Sequence, residues 1–204
     1  MELRPKALAV YQSVLDMMDE GADLNSMTVA EIAERAGIGK GTAYEYFSSK
    51  EDMIASAILF EINRLTGELG MIISEEKTFE NKIYRIFDCM VQYSKENRSF
   101  SGLIRLIRHS FDLGGTLCRE VESRKGEIEG PQKVLMELYQ TAVKEKLVER
   151  EPPRTIGVMT LIGRFFMYMM YLEKKEEVQD VGEEEMRRYL YRGILTDLNF
   201  REEG

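Results

Sequence analysis

Between Thr28 and Ile54 the chain carries a run of local signals that leaves it one arrangement: two short helices about a glycine turn, with a third helix opening directly after them. Thr28 and Glu31 have the spacing of a capping box, in which the hydroxyl accepts an orphan backbone N–H and the carboxylate reaches back to the cap. Val29, Ile32, Ala33 and Ala36 then recur at helical spacing and give that helix one apolar face. Gly37 follows, where a residue without Cβ takes the left-handed conformation that ends a helix. Ile38 is apolar within the turn and is expected to plug the angle between the helices. A second helix starting at Gly39 or Lys40 turns Ala43 and Phe47 inward at i and i+4. Ser48 with Glu51, or Ser49 with Asp52, forms another capping box and opens the third helix.

Helix, glycine turn, helix is the unit that lays its second helix in the major groove of DNA. The residues left outside on that helix are Lys40, Gly41, Thr42, Tyr44 and Glu45, with Tyr46 near the edge. A cation at Lys40, near a helix N-terminus, is slightly unfavourable unless an anion is close; a DNA phosphate is such an anion, and backbone N–H groups bind it too. Gly41 lets the backbone approach a groove wall. Thr42 suits a phosphate or a thymine methyl, and the Tyr44 hydroxyl a phosphate oxygen. Lys50, in the first turn of the next helix, is a further phosphate candidate. Glu45 suits either a cytosine amino group or plain solvent.

The run Thr28…Ile32-Ala33…Ala36-Gly37-Ile38…Lys40-Gly41-Thr42-Ala43-Tyr44…Tyr46-Phe47…Lys50-Glu51 resembles the N-terminal domain of tetracycline-repressor (TetR) family regulators. The resemblance covers these residues and extends through the preceding helix to roughly residue 6. It implies an all-α homodimer: an N-terminal three-helix helix-turn-helix DNA-binding domain followed by a variable helical ligand-binding and dimerisation domain. It also implies that Thr42, Tyr44 and Lys50 stand at DNA-contacting positions and that Lys40 lies beside the base-reading surface. The candidate DNA-binding residues are Arg35, Lys40, Gly41, Thr42, Tyr44, Tyr46 and Lys50. Ala43 departs from the pattern, which usually has a larger aliphatic residue, and leaves the head's core slightly under-filled. The expected division is a DNA-binding domain over 1–49, a connecting helix over 50–70 and an effector-binding and dimerisation domain over 71–204.

A chain of 204 residues, 44% hydrophobic, accommodates such a head and a body of about 130 residues. The net charge of −8 argues against nonspecific nucleic-acid binding. The cations available to DNA are local: Arg4, Lys6, Arg35, Lys40 and Lys50. The acidic remainder should steepen the salt dependence of binding. Nothing in the first residues resembles a signal peptide, and the most apolar stretch, 155–172, is interrupted by Arg164 and two glycines, so no membrane span is expected. Cys89 and Cys118, far apart in sequence, fit buried thiols in a reducing cytoplasm, with a redox sensor as the alternative.

The first helix is read over 5–20, with Leu8, Tyr11, Leu15 and Met18 on one stripe widened by Ala7, Val10, Val14 and Met17. The helix from Lys50 is read towards Gly67 and Gly70. Further helices are expected over Phe79–Glu96, Phe100–Phe111 (broken by Gly114-Gly115), from Pro131 to Val148, over Arg154–Glu173 and over Glu183–Phe200. Residues 119–130 are charged. The 154–173 helix is apolar nearly all round and needs burial on two sides. It is expected to face the core on one side and a second subunit on the other, together with 183–200, Gly157 and Gly163 allowing close approach; burial inside a monomer is the alternative.

Thirteen methionines and many aromatics could line an adaptable apolar pocket, or simply fill the core. The candidates for an effector pocket are Phe87, Met90, Ile107, Phe111, Met136, Tyr139 and Phe166. His109 suits either a ligand's polar group or a structural role, and Asp88 either a cationic ligand or solvent. No nucleophile elbow, phosphate-cradling glycine loop or metal-spaced His/Cys cluster is present, so no catalytic residue, cofactor or metal site is assigned. The partners expected are a double-stranded DNA operator, an unidentified and largely apolar small molecule, and a second copy of the chain. A helical dimer acting through protein partners is the other functional reading.

Overall fold

The structure, a computed structural model, describes residues 4–96, 119–120, 123–124, 131–149, 152–177 and 180–199. Eight helices and no strand are found among the described residues: α1 (Pro5–Asp19), α2 (Val29–Arg35), α3 (Lys40–Tyr46), α4 (Lys50–Glu75), α5 (Phe79–Glu96), α6 (Pro131–Lys144), α7 (Arg154–Glu173) and α8 (Glu183–Leu198). The expected 100–111 helix with its Gly114-Gly115 break, His109, Cys118 and most of 119–130 lie outside the described residues. The chain divides into two compact units, Met1–Leu65 with Lys95–Glu129 and Thr66–Ser94 with Gly130–Gly204.

In the first unit, α1, α2, α3 and the start of α4 enclose a core of Val10, Val14, Ile32, Ala43, Phe47, Met53, Ile54 and Ile58. The Tyr11 ring meets the edge of Phe47 at 5.8 Å and lies 5.2 Å from Phe60. The buried Ser13 hydroxyl donates to the Ile32 carbonyl at 3.0 Å and ties α1 to α2. The apolar stripe of α1 is rotated from the sequence reading. Its centre is Val10 and Val14, both fully buried, and Leu8 is 42% exposed. Val10 lies two positions beyond Leu8, more than half a turn of helix, so the two cannot both face the core.

The helix from Lys50 does not stop near Gly67 or Gly70; α4 has 26 residues and ends at Glu75. At 1.5 Å per residue it is about 39 Å long. A lone glycine costs a helix only about 1 kcal/mol, and tertiary burial such as that of Ile73 offsets this.

In the second unit α5 has the bounds read from the sequence and buries Phe79, Ile83, Ile86, Phe87 and Met90. The Phe87 ring sits 4.6 Å from Tyr168 of α7 and 6.1 Å from Phe165. A Glu145 carboxylate oxygen accepts the Phe79 N–H at 2.7 Å and caps α5. α6 ends at Lys144, not Val148. Leu147 N–H returns to the Ala142 carbonyl and Lys146 N–H to that of Val143, both at 3.0 Å, with Lys146 at φ +58°. That is a Schellman closure made with lysine in the left-handed position, so the usual glycine stop signal is missing from the sequence.

α7 matches its expected bounds. Its close approach at Gly157 is within the chain: a Cβ there would stand 2.5 Å from the Tyr139 ring of α6. A Cβ at Gly163 would meet nothing within 4 Å. By length and composition α7 is apolar enough to cross a membrane, with a mean hydropathy of 1.4. Arg164, midway along it, bonds Asp197 of α8 at 2.9 and 2.6 Å. α8 ends at Leu198, and Asn199 donates to the Leu147 and Leu195 carbonyls at 2.8 Å each; Phe200 lies outside the described residues.

Gly157→Ala should lower stability by about 1–3 kcal/mol, because a methyl group is forced into the Tyr139 ring. Gly163→Ala should instead raise it by up to about 1 kcal/mol, since the added methyl group meets nothing and alanine favours the helix. Thermal unfolding followed by circular dichroism separates the two.

Candidate nucleic-acid interface

The turn that presents α3 is built from local bonds. The Thr28 hydroxyl accepts the Glu31 N–H at 3.2 Å, and a Glu31 carboxylate oxygen accepts the Thr28 N–H at 2.9 Å, completing the capping box of α2. The same carboxylate takes the Thr28 hydroxyl proton at 2.8 Å. These bonds from Thr28 hold the Glu31 carboxyl below its ordinary pKa. At the other end of α2, Gly37 has φ +68°; its N–H reaches the Glu34 carbonyl, and the Ile38 N–H that of Ala33, each at 3.0 Å. Ile38 is half-buried against the head's core, as a plug between the two helices should be.

On α3 only Ala43 is buried, with Phe47, 5% exposed, just past its end. The opposite face leaves Lys40, Gly41, Tyr44 and Glu45 exposed and Thr42 and Tyr46 half-buried. The exposed surface of α3 thus holds Lys40, Gly41 and Tyr44, with the half-buried Thr42 at its edge, and a Cβ added at Gly41 would meet nothing within 4 Å. Where the sequence left two pairings open for the start of α4, the Ser49 hydroxyl accepts the Asp52 N–H at 3.0 Å. Asp52 in turn accepts the Ser48 N–H at 2.8 Å rather than that of Ser49.

Arg35 and Lys50 are occupied by the protein itself. Both terminal nitrogens of Arg35 donate to the Glu20 carboxylate, at 2.7 and 2.5 Å. That bond, ahead of the electrostatic attraction, raises the Arg35 pKa. Lys50 Nζ donates to the Asn25 carbonyl at 2.8 Å. The sequence reading counts Arg4 among the cations available to DNA but did not find its contact with Tyr46, over whose ring the guanidinium lies at 5.8 Å. Nor did it find Arg124, which donates to Asp52 and Ser56 of α4 at 2.9 Å each. Neither interaction leaves a local sequence signal, since 72 residues separate Arg124 from Asp52.

Of the candidate pocket residues, Phe87, Met90 and Tyr139 are buried and Met136 and Phe166 half-buried, while Ile107 and Phe111 lie outside the described residues. A groove of about 620 Å³ runs along α7 and is lined by Ile156, Met159, Gly163, Arg164 and Met167, with none of the candidates. Asp88 is exposed, its side chain at 50%, and it bonds Arg187 of α8 at 2.7 Å. Arg187, its side chain 8% exposed, also pairs with Glu183 at 3.0 Å and donates to the Tyr168 hydroxyl at 2.8 Å. Burial pushes Tyr168 up to about 12, against the opposing pull of Arg187. No cluster able to hold a metal ion is found among the described residues.

Three comparisons bear on this head and body. Residues 22–57 match the family model of bacterial regulatory proteins of the tetR family. The nucleoid occlusion factor SlmA of Sodalis glossinidius is 24% identical over 143 residues, 70% of this chain and 68% of that protein. The chain thus spans about two thirds of the length of such relatives. The fatty acid degradation regulator FadR of Bacillus halodurans superposes with a TM-score of 0.70 at 16% identity, covering 97% of each chain. FadR of Bacillus subtilis, solved in complex with stearoyl-CoA, superposes with a TM-score of 0.68 at 12% identity, covering 94% of this chain and 97% of that one. The fold and head define a helix-turn-helix, DNA-binding transcription regulator. Its head matches the tetR family, and its whole fold is that of solved regulators described as tetR-family members.

Tyr168→Phe should destabilise the protein by about 1.5–3 kcal/mol, the value of a hydrogen bond to a charged group. The pKa of Tyr168 is raised by folding, so its contribution is complete below the ordinary 10.0 and is lost as pH climbs towards about 12. The variant should therefore lose stability less steeply across that window, keeping only the parts due to Tyr84 and Tyr191, which burial also raises. Urea unfolding at stepped alkaline pH checks both statements.

Proposed function

We propose that the chain is a homodimeric repressor that reads a pseudo-palindromic operator with two α3 helices and is released by a small molecule bound in its helical body. One observation carries the reading. α3 buries Ala43 beside Phe47 and leaves Lys40, Gly41 and Tyr44 on its exposed surface, with Thr42 at the edge, the residue types that approach, touch and bond a DNA groove. Tyr46 supports that surface from its edge. Lys50 and Arg35 join it by exchanging the Asn25 carbonyl and the Glu20 carboxylate for phosphates, so Arg35, held by two bonds, is the weaker of the two candidates.

The dimer is supported by an apolar stripe left open on α7 and α8: Ile156, Met159, Ile162 and Met167 are 41–59% exposed, and Tyr189 61%. A two-fold dimer presents its half-sites about 34–36 Å apart, or somewhat wider. An effector shifts such an equilibrium only by its differential affinity for the two arrangements, with α4 as the element shared by both units. The fold likeness to a regulator solved with stearoyl-CoA makes long-chain acyl-CoA the first effector to try. We place the protein in the cytoplasm and assign it no catalytic residue and no cofactor.

Tyr44→Phe and Lys50→Ala, made separately, should each weaken operator binding by about 1–3 kcal/mol per dimer while the fold persists. Lys50→Ala should also lower the salt slope by about 0.9 for each phosphate that Lys50 no longer neutralises. Fluorescence anisotropy over a salt series measures both; undiminished affinity in both variants would remove these residues from the interface.

A further inference from the structure

We infer that Arg4 is a phosphate-contacting residue of the head, held in place by the ring of Tyr46; the inference rests on the DNA-reading role proposed above. In a chain of net charge −8, each cation that can face DNA matters, because the remaining surface repels it. Two of the head's cations are taken up internally, Arg35 by Glu20 and Lys50 by the Asn25 carbonyl. Arg4, Lys6 and Lys40 are exposed and enter no ion pair among the described residues.

Arg4 differs from the other two in being positioned. It precedes α1, makes no side-chain cap bond there and has no acid beside it in the first turn of that helix. Its guanidinium instead lies 5.8 Å above the ring of Tyr46 in the last turn of α3. That ring is in turn set by Phe47, 6.4 Å away and buried in the head's core. A planar guanidinium held over an aromatic face by cation–π attraction need spend no N–H donor on the ring, and those donors remain available for the two oxygens of a phosphate. Lysine has no such plane, so Lys6 and Lys40 are point charges on flexible stems.

The placement also completes the charge pattern around α3. Lys40 opens the helix, and Arg4 lies over the ring of its last residue. Seven residues of helix span about 10 Å, close to the roughly 12 Å width of a major groove whose walls both carry phosphates. A cation at each end of the reading helix serves both walls, while the rest of the head carries more acids than bases and adds no nonspecific affinity.

The test uses the full-length protein and a duplex that the wild-type protein selects from a random pool. Arg4→Ala should lower the slope of log K against log salt by about 0.9 per subunit and weaken binding roughly three- to tenfold at about 0.1 M salt. Arg4→Lys should keep the slope while losing part of the affinity. In a double-variant cycle, Tyr46→Leu should weaken binding in the wild-type background and much less once Arg4 is alanine. Circular dichroism of each variant guards against loss of the fold. Salt-dependent wild-type binding with the slope and affinity unchanged in Arg4→Ala overturns the assignment of Arg4 alone. Strictly additive effects in the cycle overturn the positioning role of the ring. Failure of the wild-type protein to select any duplex overturns the DNA-reading role as well.

Discussion

The left-handed residue between α2 and α3 is the constraint on which the head depends. At Gly37 the chain takes φ +68°, and two backbone bonds close the end of α2 around it. The space beside Gly37 is open, with no atom within 4 Å of an added Cβ. The restriction is therefore conformational rather than steric crowding by neighbours, a cost of about 1–2 kcal/mol for any other L-residue. Because the chain reverses there, Ala43 and Phe47 meet Val14 and Ile32 in one core. The opposite face of α3 is then left outside, and that face is what a groove would meet.

Features fixed within a few residues were legible in the sequence. The Thr28–Glu31 capping box, the Gly37 stop and the bounds of α5 and α7 all rest on such local chemistry. Reading failed where a stop signal was missing or misleading. Gly67 and Gly70 look like an end but lie within α4, and Lys146 ends α6 without looking like a stop. Leu8 shows the limit of periodicity: two apolar stripes overlap on α1, and only packing decides which one faces in.

Pairings between distant residues were not legible at all. Arg35 with Glu20, Lys50 with the Asn25 carbonyl and Arg187 with Asp88 each join separate elements. Sequence spacing carries no information about such pairs. Arg187 is the clearest case: α8 carries this charge to a nearly buried position, where Asp88, Glu183 and Tyr168 satisfy it. In the candidate interface, the same kind of pairing separates cations that hold the head together from cations that remain open on its surface. On a chain this acidic, that division bears more on DNA affinity than the total number of lysines and arginines does.

The central claim is that the outer face of α3 reads DNA as one of a symmetric pair. Its most direct test is selection of bound duplexes from a random pool by the wild-type protein, followed by sequencing. A symmetric pair of α3 helices should enrich inverted half-sites with centres about one helical turn apart or somewhat wider, bound more weakly as salt rises. No enrichment, or enrichment of a single unsymmetric site bound by one chain, would contradict it.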